Sequence, residues 1–162
     1  SILPKNNLTC SVRRWLLMSM RANVKGRVFI DRKFDAIYLE NITLGHDVSL
    51  GHYNRLWAFD KIVIEDNVQT AIGLTIVAGS HDKESFQPLS GQQVTIGKGC
   101  WIGANVTILG NVKIGKGVII GAGSIVNKSI PDFSIAVGNP AKVIGKRSQR
   151  NNIIGAFGNY NV

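Results

Sequence analysis

Hydrophobic and polar positions recur along this chain with a period that is neither that of a strand nor that of a helix. From Ile96 the sequence reads IGKGCW, IGANVT, ILGNVK, IGKGVI, IGAGSI and VNKSIP, with an aliphatic residue opening each block at 96, 102, 108, 114, 120 and 126. The fifth position is small or apolar each time (Cys100, Val106, Val112, Val118, Ser124, Ile130), and glycine takes the second in four of the six. Such a register predicts one short strand and one turn per block, with three blocks closing a coil. The opening aliphatics then stack inside a prism whose strands pair in parallel, coil upon coil. Glycine eases the turns. Periodicity leaves the hand of the coil open.

The pattern also runs upstream. LGHDVS, LGHYNR and LWAFDK open at Leu44, Leu50 and Leu56, and the frame then slips by two residues to IEDNVQ, TAIGLT and IVAGSH at 64, 70 and 76. It fails until Ile96, an interval of twenty that is not a multiple of six. The run HDKESFQPLSGQQ is too polar for interior positions, so residues 79–93 are expected to leave the prism as a loop. The chain thus divides into a cap segment (1–27), a β-helix (28–131) and a C-terminal segment with its tail (132–162). Within the cap, LTCSVRRWLLMSMR (8–21) predicts a helix with a thick apolar face. It is read as a lid over the first coil; a helix lying on a membrane surface is the alternative. Peripheral membrane contact is accordingly the minor partner reading. The tail NNIIGAFGNYNV is expected to be loosely ordered.

Composition narrows the classes. The 162 residues carry a formal charge of +9, unevenly placed: +6 over residues 1–35, −1 over 36–126 and +4 over 127–162. Aromatics are few and not interleaved with the basic clusters, so no nucleic acid is expected; a small polyanionic ligand suits the C-terminal cluster equally well. No apolar run approaches the ~18 residues of a membrane span. WLLMSM (15–20) is short and lacks a small-residue cleavage site, so no signal peptide is read and a cytoplasmic location is expected. Two cysteines, Cys10 and Cys100, make no disulfide framework or metal spacing, and Cys100 falls at a buried repeat position.

Three histidines are candidates for chemistry: His46, His52 and His81. His46 and His52 hold the same position in successive blocks, and each block turns the chain by about a third of a circle. They therefore point apart and make poor co-ligands of a metal within one chain. His81 opens the excursion from a rigid scaffold, where functional residues concentrate, and an imidazole can act as a base near neutral pH. Ser80 and Asp82 flank it, but neighbours in an extended segment point to opposite sides, which disfavours a triad.

With IEDNV (64–68), GSHD (79–82), WIGANVTIL (101–109), GAGSIVNKSIP (121–131) and GNPAKVI (138–144), the chain resembles the hexapeptide-repeat acyltransferases. Among them it is most similar to sugar O-acetyltransferases of the maltose, galactoside and colanic-acid type, over about residues 40–146. The resemblance implies an all-β fold, a left-handed parallel β-helix, with a short N-terminal helix and a non-repeating C-terminal segment. It implies a homotrimer with acetyl-CoA sites between subunits, a saccharide acceptor and no metal. His81 matches the family's catalytic base. Trp101 matches a tryptophan beside the thioester, Ala104 and Ala122 match small residues along the pantetheine arm, and Lys128 and Lys142 match basic or polar contacts to CoA. The family often has an arginine where this chain has Gly145, and Lys146 and Arg147 follow it as phosphate contacts. Acceptor contacts are expected from Asp60, Asn54 and Asp82, the last also beside the base; Leu56, Trp57 and Phe59 interrupt the match here. The implied activity is acetyl transfer from acetyl-CoA to a sugar hydroxyl. Rival readings are an amino-sugar N-acetyltransferase, a non-catalytic β-helix binding module and a zinc hydratase.

Overall fold

The computed structural model describes residues 7–148, so the tail 151–162 lies outside the described residues. A helix, Asn7–Ser19, precedes a left-handed parallel β-helix whose triangular cross-section has three faces, A, B and C. Face A stacks Asn23–Val24, Ile42–Leu44, Ile62–Ile64, Val94–Ile96 and Val112–Ile114. Face B stacks Val28–Ile30, Val48–Leu50, Gln69–Thr70, Trp101–Ile102, Ile119–Ile120 and Ser134–Val137. Face C stacks Asp35–Ile37, Arg55–Trp57, Thr75–Val77, Thr107–Leu109 and Ile125–Val126. All these pairings are parallel. The last strand, Lys142–Lys146, turns back antiparallel on Ser134–Val137 and ends the coil. The ladder thus begins at Asn23 and runs to Val137, a few residues wider at each end than 28–131.

Two coil lengths explain the frame slip. Val94 pairs with Val112, eighteen residues on, while Ile42 pairs with Ile62, twenty on. The lower coils place an extra inward alanine, Ala58 or Ala78, after face C, both fully buried. The core is the predicted ladder: Leu44, Leu50, Leu56, Ile64, Ile76, Ile96, Ile102, Ile108, Ile114 and Ile120 have no exposed surface. Burying each such side chain contributes roughly 1.5–3 kcal/mol relative to exposure.

The second-position glycines have a cause other than turn relief. A Cβ on Gly97 would sit 2.7 Å from the backbone of Gly115, and one on Gly103 2.6 Å from the amide of Ala122. The next coil passes too close for a side chain. Left-handed φ falls instead two residues later in each turn, as at Gly99, Asn105 and Gly117.

Candidate active site

His81 stands just after the chain leaves face C. Ala78 is the last inward residue, and residues 79–93 run outside before Val94 enters face A. The excursion closes on itself: the Leu89 amide donates to the Ser80 carbonyl (2.9 Å), the Asp82 amide to the Gln87 carbonyl (2.8 Å), and His81 bridges Pro88 in antiparallel fashion. At its tip the Phe86 amide donates to the Asp82 carbonyl (3.1 Å), and Phe86 takes φ 54°, in the left-handed region.

Asp82 builds this tip. Its Oδ1 accepts from the Ser85 amide (2.8 Å), the Ser85 hydroxyl (2.9 Å) and the Glu84 amide (3.0 Å). These donors, the Ser85 amide foremost, hold its carboxyl below the ordinary 3.8. The turn aims the Phe86 carbonyl at the imidazole, whose Nδ1 lies 2.9 Å from that oxygen. A carbonyl only accepts, so Nδ1 carries the hydrogen and the neutral ring keeps its lone pair on Nε2. The ring is exposed.

The base of the loop is tied as well. Asp60 Oδ2 accepts the Gln92 amide at 2.7 Å, Oδ1 accepts the Lys61 amide at 2.6 Å, and the Asp60 amide donates to Ala78. Phe59 lies under the entry, where a Cβ on Gly79 would meet its Cδ2 at 2.9 Å. Asp60 therefore sits beside the root of the loop as an anchor, and Asp82 as a turn former.

Asn54, expected at the acceptor, points inward. It is fully buried, its Nδ2 donates to Thr70 Oγ1, and its Oδ1 accepts the Leu74 amide at 3.0 Å. It is a structural residue of the core, and the acceptor role is withdrawn. The other expected residues divide among the edges of the prism. Ala104 and Ala122 stack at the B/C corner, where the Gly123 amide donates to the Ala104 carbonyl at 2.8 Å. Lys142 joins them there, paired with Val137. Trp101 projects from face B, 51% exposed, with Ile119 above it. Lys128 is exposed at the C/A corner, the corner of the histidine loop, two coils higher.

Lys146 and Arg147 lie elsewhere. They line a cavity of about 520 Å³ at the A/B corner with Lys116, Asp132 and Phe133. Arg147 donates to the carbonyls of Gly99 (3.3 Å) and Gly117 (3.4 Å), clamping the last strand onto that corner. They are thus set apart from Ala104, Ala122 and Lys142. His46 and His52 occupy the A/B and B/C corners respectively, and His52 Nδ1 lies 2.7 Å from Asp31 Oδ2. Among the described residues no three His, Cys, Asp or Glu side chains gather as a metal site.

Sequence reasoning missed Phe86, whose carbonyl orients the His81 imidazole, and Ser85, which builds the turn. The signal was present for the second: Asp-x-x-Ser at 82–85 is a turn-initiating pattern. No pattern marks a carbonyl.

Residues 93–128 match the family described as bacterial transferase hexapeptide (six repeats). The chain is 36% identical over 125 residues to a Saccharomyces cerevisiae protein described provisionally as an acetyltransferase, and spans 64% of that protein's length. A maltose O-acetyltransferase from Clostridium difficile 630 superposes with a TM-score of 0.77 at 31% identity, covering 86% of this chain and 76% of its own. A galactoside acetyltransferase in complex with coenzyme A superposes with a TM-score of 0.76 at 27% identity, covering 90% of this chain and 74% of its own.

Proposed function

The chain belongs to the hexapeptide-repeat acyltransferases, and on that premise we propose that it transfers an acetyl group from acetyl-CoA to a saccharide hydroxyl, with His81 as general base. The observation that carries this reading is the 2.9 Å bond from His81 Nδ1 to the Phe86 carbonyl, which leaves Nε2 as the basic nitrogen.

Acetyl-CoA, when bound, supplies an activated acyl carbon and a thiolate leaving group. The corner formed by Ala104 and Ala122 suits its narrow arm: both side chains are methyl groups, and a Cβ on Gly123 would meet nothing within 4 Å. Trp101 offers an exposed ring on the adjoining face, and Lys142 a cation at the same corner. His81 Nε2 takes the acceptor's hydroxyl proton as its oxygen bonds to the acyl carbon, and the imidazolium returns that proton as the sulfur leaves. The Phe86 carbonyl steadies the ring in both states, since Nδ1 donates in each.

One chain does not close this site. His81 and Lys128 lie at the C/A corner, and Ala104, Ala122 and Lys142 at the B/C corner, the two edges of face C. Face C itself exposes Trp57 and Leu109. A three-fold ring with face C inward brings the C/A corner of one chain to the B/C corner of the next and covers those side chains. We therefore read the protein as a homotrimer with shared sites.

The experiment is a calorimetric titration with CoA, followed by thiol-release assays against maltose and galactoside acceptors. His81→Asn is expected to keep CoA binding and trimer mass while lowering turnover by about 10²–10⁴-fold. Near-normal turnover would remove His81 from the mechanism, and a folded protein with no CoA affinity would sink the transferase reading.

A further inference from the structure

Between residues 11 and 19 the N-terminal helix leaves most of its apolar side chains exposed. Leu17 and Arg13 face the first coil, Leu17 at 9% exposure and Arg13 bonded to the Ile30 carbonyl. On the remaining surface stand Trp15 (67% exposed), Leu16 (46%), Met18 (48%) and Val12 (42%), with Met20 (58%) just beyond the helix. Helical geometry gathers these into one patch: Val12, Trp15 and Leu16 are three and four apart, and Trp15 and Met18 three apart. A lid needs an apolar inner side and a polar outer one. Here the outer side is mostly apolar, with the small hydroxyls of Ser11 and Ser19 among Val12, Trp15, Leu16 and Met18.

The rim of the same end is cationic. The helix packs on Asn23–Val24 and Val28–Ile30, the first strands of faces A and B, so it covers the base of the prism. The turns of that first coil carry exposed Lys25 at the A/B corner and exposed Arg32 and Lys33 at the B/C corner, with exposed Arg21 at the end of the helix. Residues 7–35 hold seven Lys or Arg against two carboxylates. Those two are engaged, Asp31 with the imidazole of His52 and Asp35 with the indole N–H of Trp57. The base is thus an apolar patch on a convex helix, bordered by cations at two corners of the triangle.

We infer that this base is a docking surface for an anionic lipid bilayer, with the helix lying in the interface plane. The chemistry matches each component. Trp, Leu, Met and Val side chains enter the boundary between headgroups and acyl chains, while Lys and Arg meet anionic headgroups. A protein groove would select a narrow stripe of anchors, and the surface here is broad and rimmed by charge. The helix is too short to cross, and among the described residues no helix is long and apolar enough to do so. In a three-fold ring with parallel prism axes, three bases lie in one plane and bind together, which multiplies a weak single contact. The docking surface itself stands on the exposure and charge of the base; only its multiplication by three rests on the trimer reading.

The test is co-sedimentation of the full chain with extruded vesicles of phosphatidylcholine and phosphatidylglycerol in about a 3:1 ratio, against phosphatidylcholine alone. Partition onto the anionic vesicles about tenfold or more above the neutral ones, weakened by salt, is expected. Trp15→Ser with Leu16→Ser is expected to abolish it. Arg32→Glu with Lys33→Glu, two exposed side chains outside the core, is expected to remove the preference for anionic lipid with the helix signal in circular dichroism unchanged. No partition by the folded protein overturns the inference. So does a Trp15→Ser and Leu16→Ser variant that loses oligomeric mass and leaves lipid binding unchanged, since the patch would then be a contact between chains.

Discussion

The imidazole Nδ1 of His81 lies 2.9 Å from the carbonyl oxygen of Phe86, a residue five positions on whose own backbone is left-handed. The bond closes a small ring within the excursion, so the imidazole is oriented by the turn that carries it and not by the β-helix below. That makes the tautomer of His81 a property of residues 82–86.

It follows that the turn former matters to turnover. Asp82→Ala removes three hydrogen bonds at the tip and frees the Phe86 carbonyl from its position. A misplacement of the base by about 1 Å costs on the order of 10²-fold in rate. We expect kcat to fall by about 10- to 100-fold with CoA affinity unchanged, since no CoA contact is proposed for the tip. Steady-state kinetics beside calorimetry decides it, and an unchanged kcat would show that the ring finds its orientation elsewhere.

Acid should loosen the same turn. The Asp82 carboxyl is held below its ordinary value by the Ser85 amide first, so the folded loop binds the proton less readily than the unfolded chain. The stabilisation is fully present above the ordinary carboxylate value and is lost as pH falls through the lowered one. Amide resonances of Glu84 and Ser85 should therefore stay constant from pH 8 to about 5 and shift only below about 4. A shift centred near neutrality would contradict this account of the tip.

Asn54 offers a separation of structure from chemistry. Asn54→Ala leaves the buried Leu74 amide without its acceptor, whereas the Thr70 hydroxyl keeps the Gly51 amide (3.1 Å) and the Ser49 carbonyl (3.3 Å). One stranded amide costs about 1–3 kcal/mol. Urea unfolding should show that loss while the acceptor KM at permissive temperature stays as it was. A raised KM with intact stability would return Asn54 to the acceptor site.

Cys100 should be inert. Its thiol is buried among repeat residues, donates to the Gly115 carbonyl at 3.0 Å and is pushed up to about 12 by loss of solvent. Peptide mapping after iodoacetamide treatment at pH 8 is expected to find Cys100 unmodified in the folded protein and alkylated in urea. Fast modification without denaturant would mean that the coil opens.

Much of this molecule can be read from the order of its residues because a hexapeptide coil is built from local rules. Every residue that opens a block from Leu44 to Val126 faces the core, and the polar run after Ala78 leaves it, as the pattern requires. Even Asn54 was legible: it holds the fifth position of LGHYNR, which is inward in every block from Ile96 on, and its polarity obscured that. The two-residue slip was visible, but its meaning was not. It lengthens one corner by an inward alanine, a matter of how the chain turns at Ala58 and Ala78.

What the sequence determined alone is the repeat, its interior and the site of its interruption, since these depend on periodicity and on the cost of burying polar groups. What only the tertiary structure decided is which exposed residues share an edge. Lys142 and Arg147 are five apart in the chain yet lie at different corners, because an antiparallel strand runs the width of face B between them. The helix shows the same division: its apolar residues were plain in the sequence, but only packing against the first coil reveals that Trp15 and Met18 face away from the core.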